Sequence, residues 1–267
     1  MKILSLNVWG GMRHASLLDY LKQVDADVYC LQEVPRAVAA RSEWLTYRDG
    51  AVELQQRANL YREIANALPG HDGFFAPTAR GELLDGEYPC HQEFGLATFI
   101  RQEIAVIGQA LDFVHGAFSP HGFGEHPRAR NAHAFRLYDY SADRALCLVQ
   151  FHGLRETGGK SDTPARDAQA ASLIALIDRL HRQDEALILC GDFNLLPESR
   201  TFQSLADLGL TDLITTNGFT DTRTSLYTKP GRYADYMLVN ARAPVADFTV
   251  VETPEVSDHR ALLLTLG

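Results

Sequence analysis

The chain has 267 residues, 46% of them hydrophobic, and a formal net charge of −9 at pH 7. That length can bury a sizeable core, while the acidic balance argues against a protein that grips nucleic acid mainly through a broad basic surface. A metal-bridged nuclease stays open, because bound cations cancel part of the local charge.

Residues 3–9 alternate apolar and polar and predict a first strand with Asn7 near its end. A strand that starts at once leaves no room for a signal peptide. Leu17, Leu21 and Val24 are spaced for a short amphipathic helix over 15–24. Residues 27–35 predict a second buried strand that carries Glu33 near its end and is stopped by Pro35. Leu54, Ala58, Tyr61, Ala65 and Leu68 form the stripe of a longer helix before Pro69-Gly70. Short strands follow at 73–76, 95–101, 104–113, 132–138 and 145–151.

Thr163-Pro164 reads as an N-cap followed by proline at the first helical position, and Ala170, Leu173, Ile174, Ile177 and Leu180 continue that helix. Leu187-Ile188-Leu189-Cys190 then predicts a strand buried on both faces. Gly191 breaks it, and Asp192 and Asn194 follow at a spacing of two, so both side chains can leave on one side. A helix near 199–208 and strands at 236–239, 248–251 and 261–266 complete the chain. Hairpin-like strand pairs mixed with strand–helix units suggest two sheets with helices packed outside them. No repeat, low-complexity tract or linker interrupts the pattern, which predicts one domain over 1–267. No apolar run reaches membrane-spanning length, so stable membrane insertion is not expected. Cys30, Cys147 and Cys190 lie in apolar runs and Cys90 in a loop, with no Cys-x-x-Cys pair. Free thiols in a reducing cytoplasm fit that pattern better than a structural zinc site.

Polar residues recur at strand ends: Asn7, Glu33, His152, Asp192 with Asn194, Asp235, and Asp258-His259. Each alone has a plain structural explanation, as a turn cap, a solvated acid or a satisfied histidine. Together they are harder to dismiss, because a carboxylate or amide held beside a buried strand is costly unless it grips water, metal or phosphate.

The ordered set Leu6-Asn7, Leu31-Gln32-Glu33-Val34, Gly191-Asp192-Phe193-Asn194, Asp235-Tyr236 and Ser257-Asp258-His259 resembles the endonuclease/exonuclease/phosphatase superfamily. That superfamily includes deoxyribonuclease I, abasic-site endonucleases, neutral sphingomyelinases and inositol polyphosphate 5-phosphatases. The resemblance implies an α/β fold, a four-layered α/β/β/α sandwich of two packed mixed sheets, with the site where the strand ends of both sheets meet. It implies that Glu33 is the principal metal ligand, with Asn7 beside it and Asp258 at the metal end. Asp192 and Asn194 match the pair that orients the attacking water and contacts phosphate. His259 matches the general base and Asp235 its carboxylate partner, while His152 matches a phosphate contact or general acid. At that last strand end the family often has Asn-Thr-His-Leu, whereas this chain has Gln150-Phe151-His152-Gly153-Leu154.

Oxygen-rich ligands of this kind suit Mg²⁺ or Mn²⁺ better than Zn²⁺. The expected activity is hydrolysis of a phosphate ester, a diester before a monoester, on a nucleic acid, a lipid head group or a small molecule. A phosphatase acting on inositol phosphates or another small metabolite is the alternative within the same chemistry. A catalytically silent regulatory binding protein is the alternative outside it, although all the site residues are present. No protein partner is inferable. Two long loops, 77–93 and 115–131, and a third at 155–162 could choose the substrate. Arg128, Arg130, Arg155 and Lys160 are candidate contacts to a second phosphate or anionic group, with solvated loop charges as the equal alternative. The histidines of these loops show no i, i+4 pair, which leaves mobile loops a better reading than a second metal site.

Overall fold

Alternation along the first strands sorts their side chains between two sides. In the computed structural model, which describes residues 1–50 and 52–267, β1 (Lys2–Asn7) and β2 (Val28–Arg36) run parallel. Ile3, Val28 and Cys30 face a core shared with a second sheet, while Leu4, Leu6, Tyr29 and Leu31 face helices α1 (His14–Val24) and α2 (Leu60–Ala67). The period of two therefore also turns Asn7 toward the second sheet.

The first sheet adds β3 (Trp44–Asp49), β4 (Val52–Arg57), β5 (His71–Asp85) and β6 (Tyr88–Arg101) on one side of this pair. The second sheet contains β7 (Ala105–His115), β8 (Arg130–Asp139), β9 (Arg144–His152), β10 (Ala186–Asp192), β11 (Leu210–Asp212) and β12 (Asp235–Asn240). The chain returns to the first sheet through β13 (Val245–Val251) and β14 (Ala261–Leu266), giving eight strands in the order β13-β14-β1-β2-β6-β5-β3-β4. The six strands of the other sheet run β11-β12-β10-β9-β8-β7. Each sheet is mixed, with one parallel pair, β1–β2 or β9–β10, among antiparallel neighbours. Outside the second sheet lie α3 (Pro164–Leu180), α4 (Arg200–Ala206) and α5 (Leu213–Thr216). The layers are thus helix, sheet, sheet, helix. Thr163 caps α3 by accepting from the Arg166 backbone N–H, as the Thr-Pro pair predicts.

Three expectations change. Residues 54–68 are not one helix: 52–57 form β4, hairpinned to β3, and Asn59 caps the short α2 by accepting from the Arg62 N–H. The stripe at helical spacing hid a strand whose partner lies elsewhere in the chain. Residues 77–93 are mostly a long antiparallel ribbon of β5 and β6 rather than a loop. Cys90 accordingly sits on a strand, buried with Ala37, Leu45, Ala58 and Leu83 in a small core of its own. Glycine and proline read there as loop signals, but the cross-strand hydrogen bonds that hold the ribbon are not local. Arg130 and Asn131, expected in the next loop, begin β8. All four cysteines are free thiols and buried. Among the described residues no helix is long and apolar enough to cross a membrane.

His133 is buried between the sheets, its ring 4.1 Å from Phe135, and neither ring nitrogen has a hydrogen-bond partner. Burial pushes its pKa down to about 4 from an ordinary 6.5. The folded protein therefore keeps it neutral while the unfolded chain takes up a proton below about pH 6.5. Stability falls as pH drops from there toward 4, by about 2–3 kcal/mol from this residue. Urea titrations at several pH values should show His133→Leu losing that much less stability than wild type across the window. An unchanged pH slope would remove His133 as its source.

Candidate active site

The ends of the two central parallel pairs meet across the sandwich. Asn7 closes β1, Glu33 lies near the end of β2, and His152 and Asp192 close β9 and β10. Asp192 is the register partner of both His152 and Asp235, and β12 runs antiparallel, so Asp235 starts where its neighbours finish. The loop before β14 brings Asp258 and His259 to the same end.

Glu33 needs a distortion to get there. Strict alternation would turn Gln32 toward the other sheet and Glu33 toward the helices. The β2–β6 pairing slips by one residue between Leu31 and Val34, and Glu33 takes a left-handed φ of 59°. Such a bulge bends the strand and re-aims side chains. Gln32 still points inward and donates from Nε2 to Gln150 Oε1 at 3.0 Å, bridging the sheets under the site. Gln150 in turn donates to Thr98 Oγ1 at 2.6 Å and to the Ala97 carbonyl at 3.0 Å.

Asp192 is the hub. Its Oδ2 accepts from Asn7 Nδ2 at 3.0 Å and lies 3.5 Å from His152 Nε2 and 3.7 Å from His259 Nε2. Its Oδ1 accepts from the Asn194 backbone N–H at 3.0 Å, and Asn194 takes a left-handed φ of 54° to close this turn. Between them Phe193 is fully buried, 4.5 Å edge-on from Phe151 and 5.3 Å from Tyr236. The departure at Phe151 thus fills an aromatic core beneath the turn. The extra Gly153 contributes a carbonyl that accepts from Arg130 Nε at 2.9 Å and Asn194 Nδ2 at 3.4 Å.

His259 Nδ1 donates to both oxygens of Asp235, at 2.9 and 2.8 Å, while its Nε2 accepts from Arg223 Nη1 at 2.5 Å. Asp235 thereby fixes the tautomer, and the basic nitrogen faces the site. Burial opposes charge on His259, but Asp235 and Asp192 outweigh it and raise its pKa. His152 goes the other way: burial, reinforced by Arg130, holds it well below the ordinary histidine range. The two neighbouring histidines are thus driven apart, His259 toward its charged form and His152 toward its neutral one. Burial works against the Asp192 carboxylate too, yet His259, His152 and Arg223 keep its pKa low. Burial lifts Glu33, partly offset by His259 and by Asn7.

Ligand atoms of Glu33, His152 and Asp192 lie within 4.8 Å of one another, and so do those of Asp192, Asp235 and His259. Either group has the spacing for a small cation. Among the described residues no other group of three or more His, Cys, Asp or Glu has that spacing. The Asn7 amide is engaged at both ends, since its Oδ1 accepts from the Trp9 N–H at 3.0 Å. Asp258 Oδ2 accepts from Arg223 Nη1 at 3.0 Å.

The four basic candidates separate. Arg130 is buried beside the site, where Glu33 and Asp192 act on its charge, and its Nη groups have no hydrogen-bond partner among the described residues. Exposed Arg155 adds positive field at His152. Arg128 donates to Tyr47 Oη at 2.9 Å, farther along the ribbon. Lys160 donates to the Gly231 and Tyr233 carbonyls, tying its loop to the one before β12. Arg223 is the residue that sequence reasoning missed. Nothing in periodicity or spacing marks it, because backbone pairing far from its neighbours in sequence places it.

The sequence model of the endonuclease/exonuclease/phosphatase family matches residues 4–259. The chain belongs to this family. No protein of curated function matches it. Among solved structures, a mannosyl-6-phosphatase from Bacteroides thetaiotaomicron superposes with a TM-score of 0.70 at 15% identity, covering 100% of this chain and 99% of that one. The human Nocturnin catalytic domain, solved with a sulfate anion, gives 0.67 at 21% identity, covering 99% and 92%. Zebrafish (D. rerio) TDP2 in complex with a single-strand DNA product gives 0.63 at 16%, covering 100% and 98%. At these identities the endonuclease/exonuclease/phosphatase likeness speaks to fold, and those named ligands belong to those proteins.

Proposed function

We propose that the protein hydrolyses a phosphate ester, a diester in preference to a monoester, by in-line attack of water with the help of Mg²⁺ or Mn²⁺. One observation carries this reading: Asp192 touches Asn7, lies within 4 Å of both histidines, and shares a cation-sized grouping with Glu33. The oxygens offered there are carboxylates, around a side chain, Glu33, that is 26% exposed and so reachable from solvent. That fits a hard, partly hydrated divalent ion held chiefly by Glu33 and Asp192, with Asn7 beside them. Such an ion would act as a Lewis acid on the phosphoryl oxygen.

The remaining work falls to side chains. Asp192 and Asn194 orient the attacking water. His259, raised in pKa and aligned by Asp235, takes its proton at Nε2. His152, held neutral, offers a hydrogen bond to a phosphoryl oxygen, and the proton that His259 takes from the water is the one available to the departing oxygen. Arg130 and Arg155, whose charges both act on His152, meet a further anionic part of the substrate, with Arg128 and Lys160 shaping the approach.

A panel of plasmid DNA, single-stranded RNA, an abasic duplex, sphingomyelin and small phosphoesters, titrated with Mg²⁺, tests this. Turnover should vanish on chelation, return with Mg²⁺, and be absent in a folded Asp192→Ala blank. Undiminished turnover in the presence of chelator would sink the proposal. A monoester turned over faster than every diester would shift it to the phosphatase alternative.

A further inference from the structure

Arg223 comes to the site from the segment between α5 and β12, which carries none of the expected residues. Its backbone makes an isolated antiparallel bridge with His259, flanked by Thr224 N–H to the Asp258 carbonyl at 3.2 Å and Arg260 N–H to the Thr222 carbonyl at 2.9 Å. Arg232 braces the same turn by donating to the Arg223 and Thr224 carbonyls at 2.8 and 3.2 Å. The side chain lies with Cζ 4.2 Å over the Tyr227 ring and is 6% exposed. Its guanidinium is therefore fixed by backbone pairing and packing, not draped in from solvent.

The site has two groupings with cation spacing, and they share Asp192. Only one is open to an ion. In the Asp192–Asp235–His259 grouping both imidazole nitrogens are committed, Nδ1 to Asp235 and Nε2 to Arg223, and both Asp235 oxygens lie on Nδ1. A metal binds imidazole through a nitrogen lone pair, so an ion there would have to expel a buried guanidinium from among Asp192, Asp235 and Asp258. In the Glu33–His152–Asp192 grouping no arginine hydrogen-bonds to any of the three side chains among the described residues. The Arg223 Nε has no hydrogen-bond partner although it is buried. A buried, charged donor left unpaired is costly unless an anionic oxygen comes to meet it.

We propose that Arg223 takes the place of a second metal ion: the protein holds one divalent cation on the Glu33 side, and the Arg223 guanidinium is the fixed cation on the Asp258–His259 side, where it receives a phosphoryl oxygen. A phosphate oxygen is a stronger acceptor for guanidinium than a neutral imidazole, so the same contact frees His259 Nε2. The inference rests on the metal-dependent reading above.

Counting bound Mn²⁺ on the whole, chelator-stripped chain, by the electron paramagnetic resonance signal of free Mn²⁺, separates the possibilities. Wild type should bind one ion. Arg223→Met, which keeps the stem over Tyr227 but removes the charge, should bind a second, weaker one. Two ions on wild type would overturn the proposal, as would a single ion on both proteins. No ion on wild type would instead overturn the metal-dependent reading itself. Should Arg223→Met fail to fold, Glu33→Gln decides: it should lose the sole ion, and an ion kept at unchanged affinity refutes the assignment.

Discussion

His259→Ala lowers kcat by about 10²–10⁴ at saturating Mg²⁺ while the protein stays folded. Asp235→Asn follows it most of the way. In the proposed reaction Nε2 of His259 is the proton acceptor, and the Asp235 carboxylate holds the ring through two contacts to Nδ1. An asparagine in that place can offer an N–H to Nδ1, which favours the tautomer protonated at Nε2 and leaves no base toward the water. Because the two residues act as one unit, the double variant should be hardly slower than His259→Ala alone. Circular dichroism melts alongside single-turnover kinetics would check both halves of the expectation. A folded His259→Ala enzyme within tenfold of wild type would take the histidine out of the reaction, and additive losses would uncouple it from Asp235.

Gly191→Ala destabilises the fold by about 3 kcal/mol or more, since a methyl forced into a packed interior costs 1–3 kcal/mol before backbone strain is added. Gly191 has a φ of +143°, and a Cβ built on it would stand 1.9 Å from the Phe151 carbonyl oxygen. Its strand neighbours in register are Phe151 and Tyr236, so neither side can give way without opening the β9–β10–β12 ladder. The ladder also sets the position of Asp192, one residue on. Urea denaturation should show the loss as a lowered midpoint, and the surviving folded fraction should turn over more slowly. A variant with wild-type stability would mean the strand end relaxes far more freely than close packing allows.

Much of this molecule is legible in its sequence. The alternation in β1, the Thr163-Pro164 cap, the apolar run 187–190 and the polar residues at successive strand ends all follow from local rules of periodicity and capping. The ordered motifs pointed to the family and to a layered sandwich, which the fold shows. What stayed hidden depended on partners distant in sequence. The β5–β6 ribbon reads as a loop because its hydrogen bonds run between strands, and residues 54–57 read as helical because Leu54 falls in step with the apolar stripe of the helix that follows. The bulge that turns Glu33 into the cleft arises from a register slip against β6, to which the sequence of β2 alone gives no clue. Arg223 reaches His259 only through a backbone bridge spanning 36 positions. Local sequence determined which groups the chain owns and which strands carry them. Tertiary pairing alone decided which of them meet, because distance and direction between charges are set by register and bulges, and the chemistry depends on both.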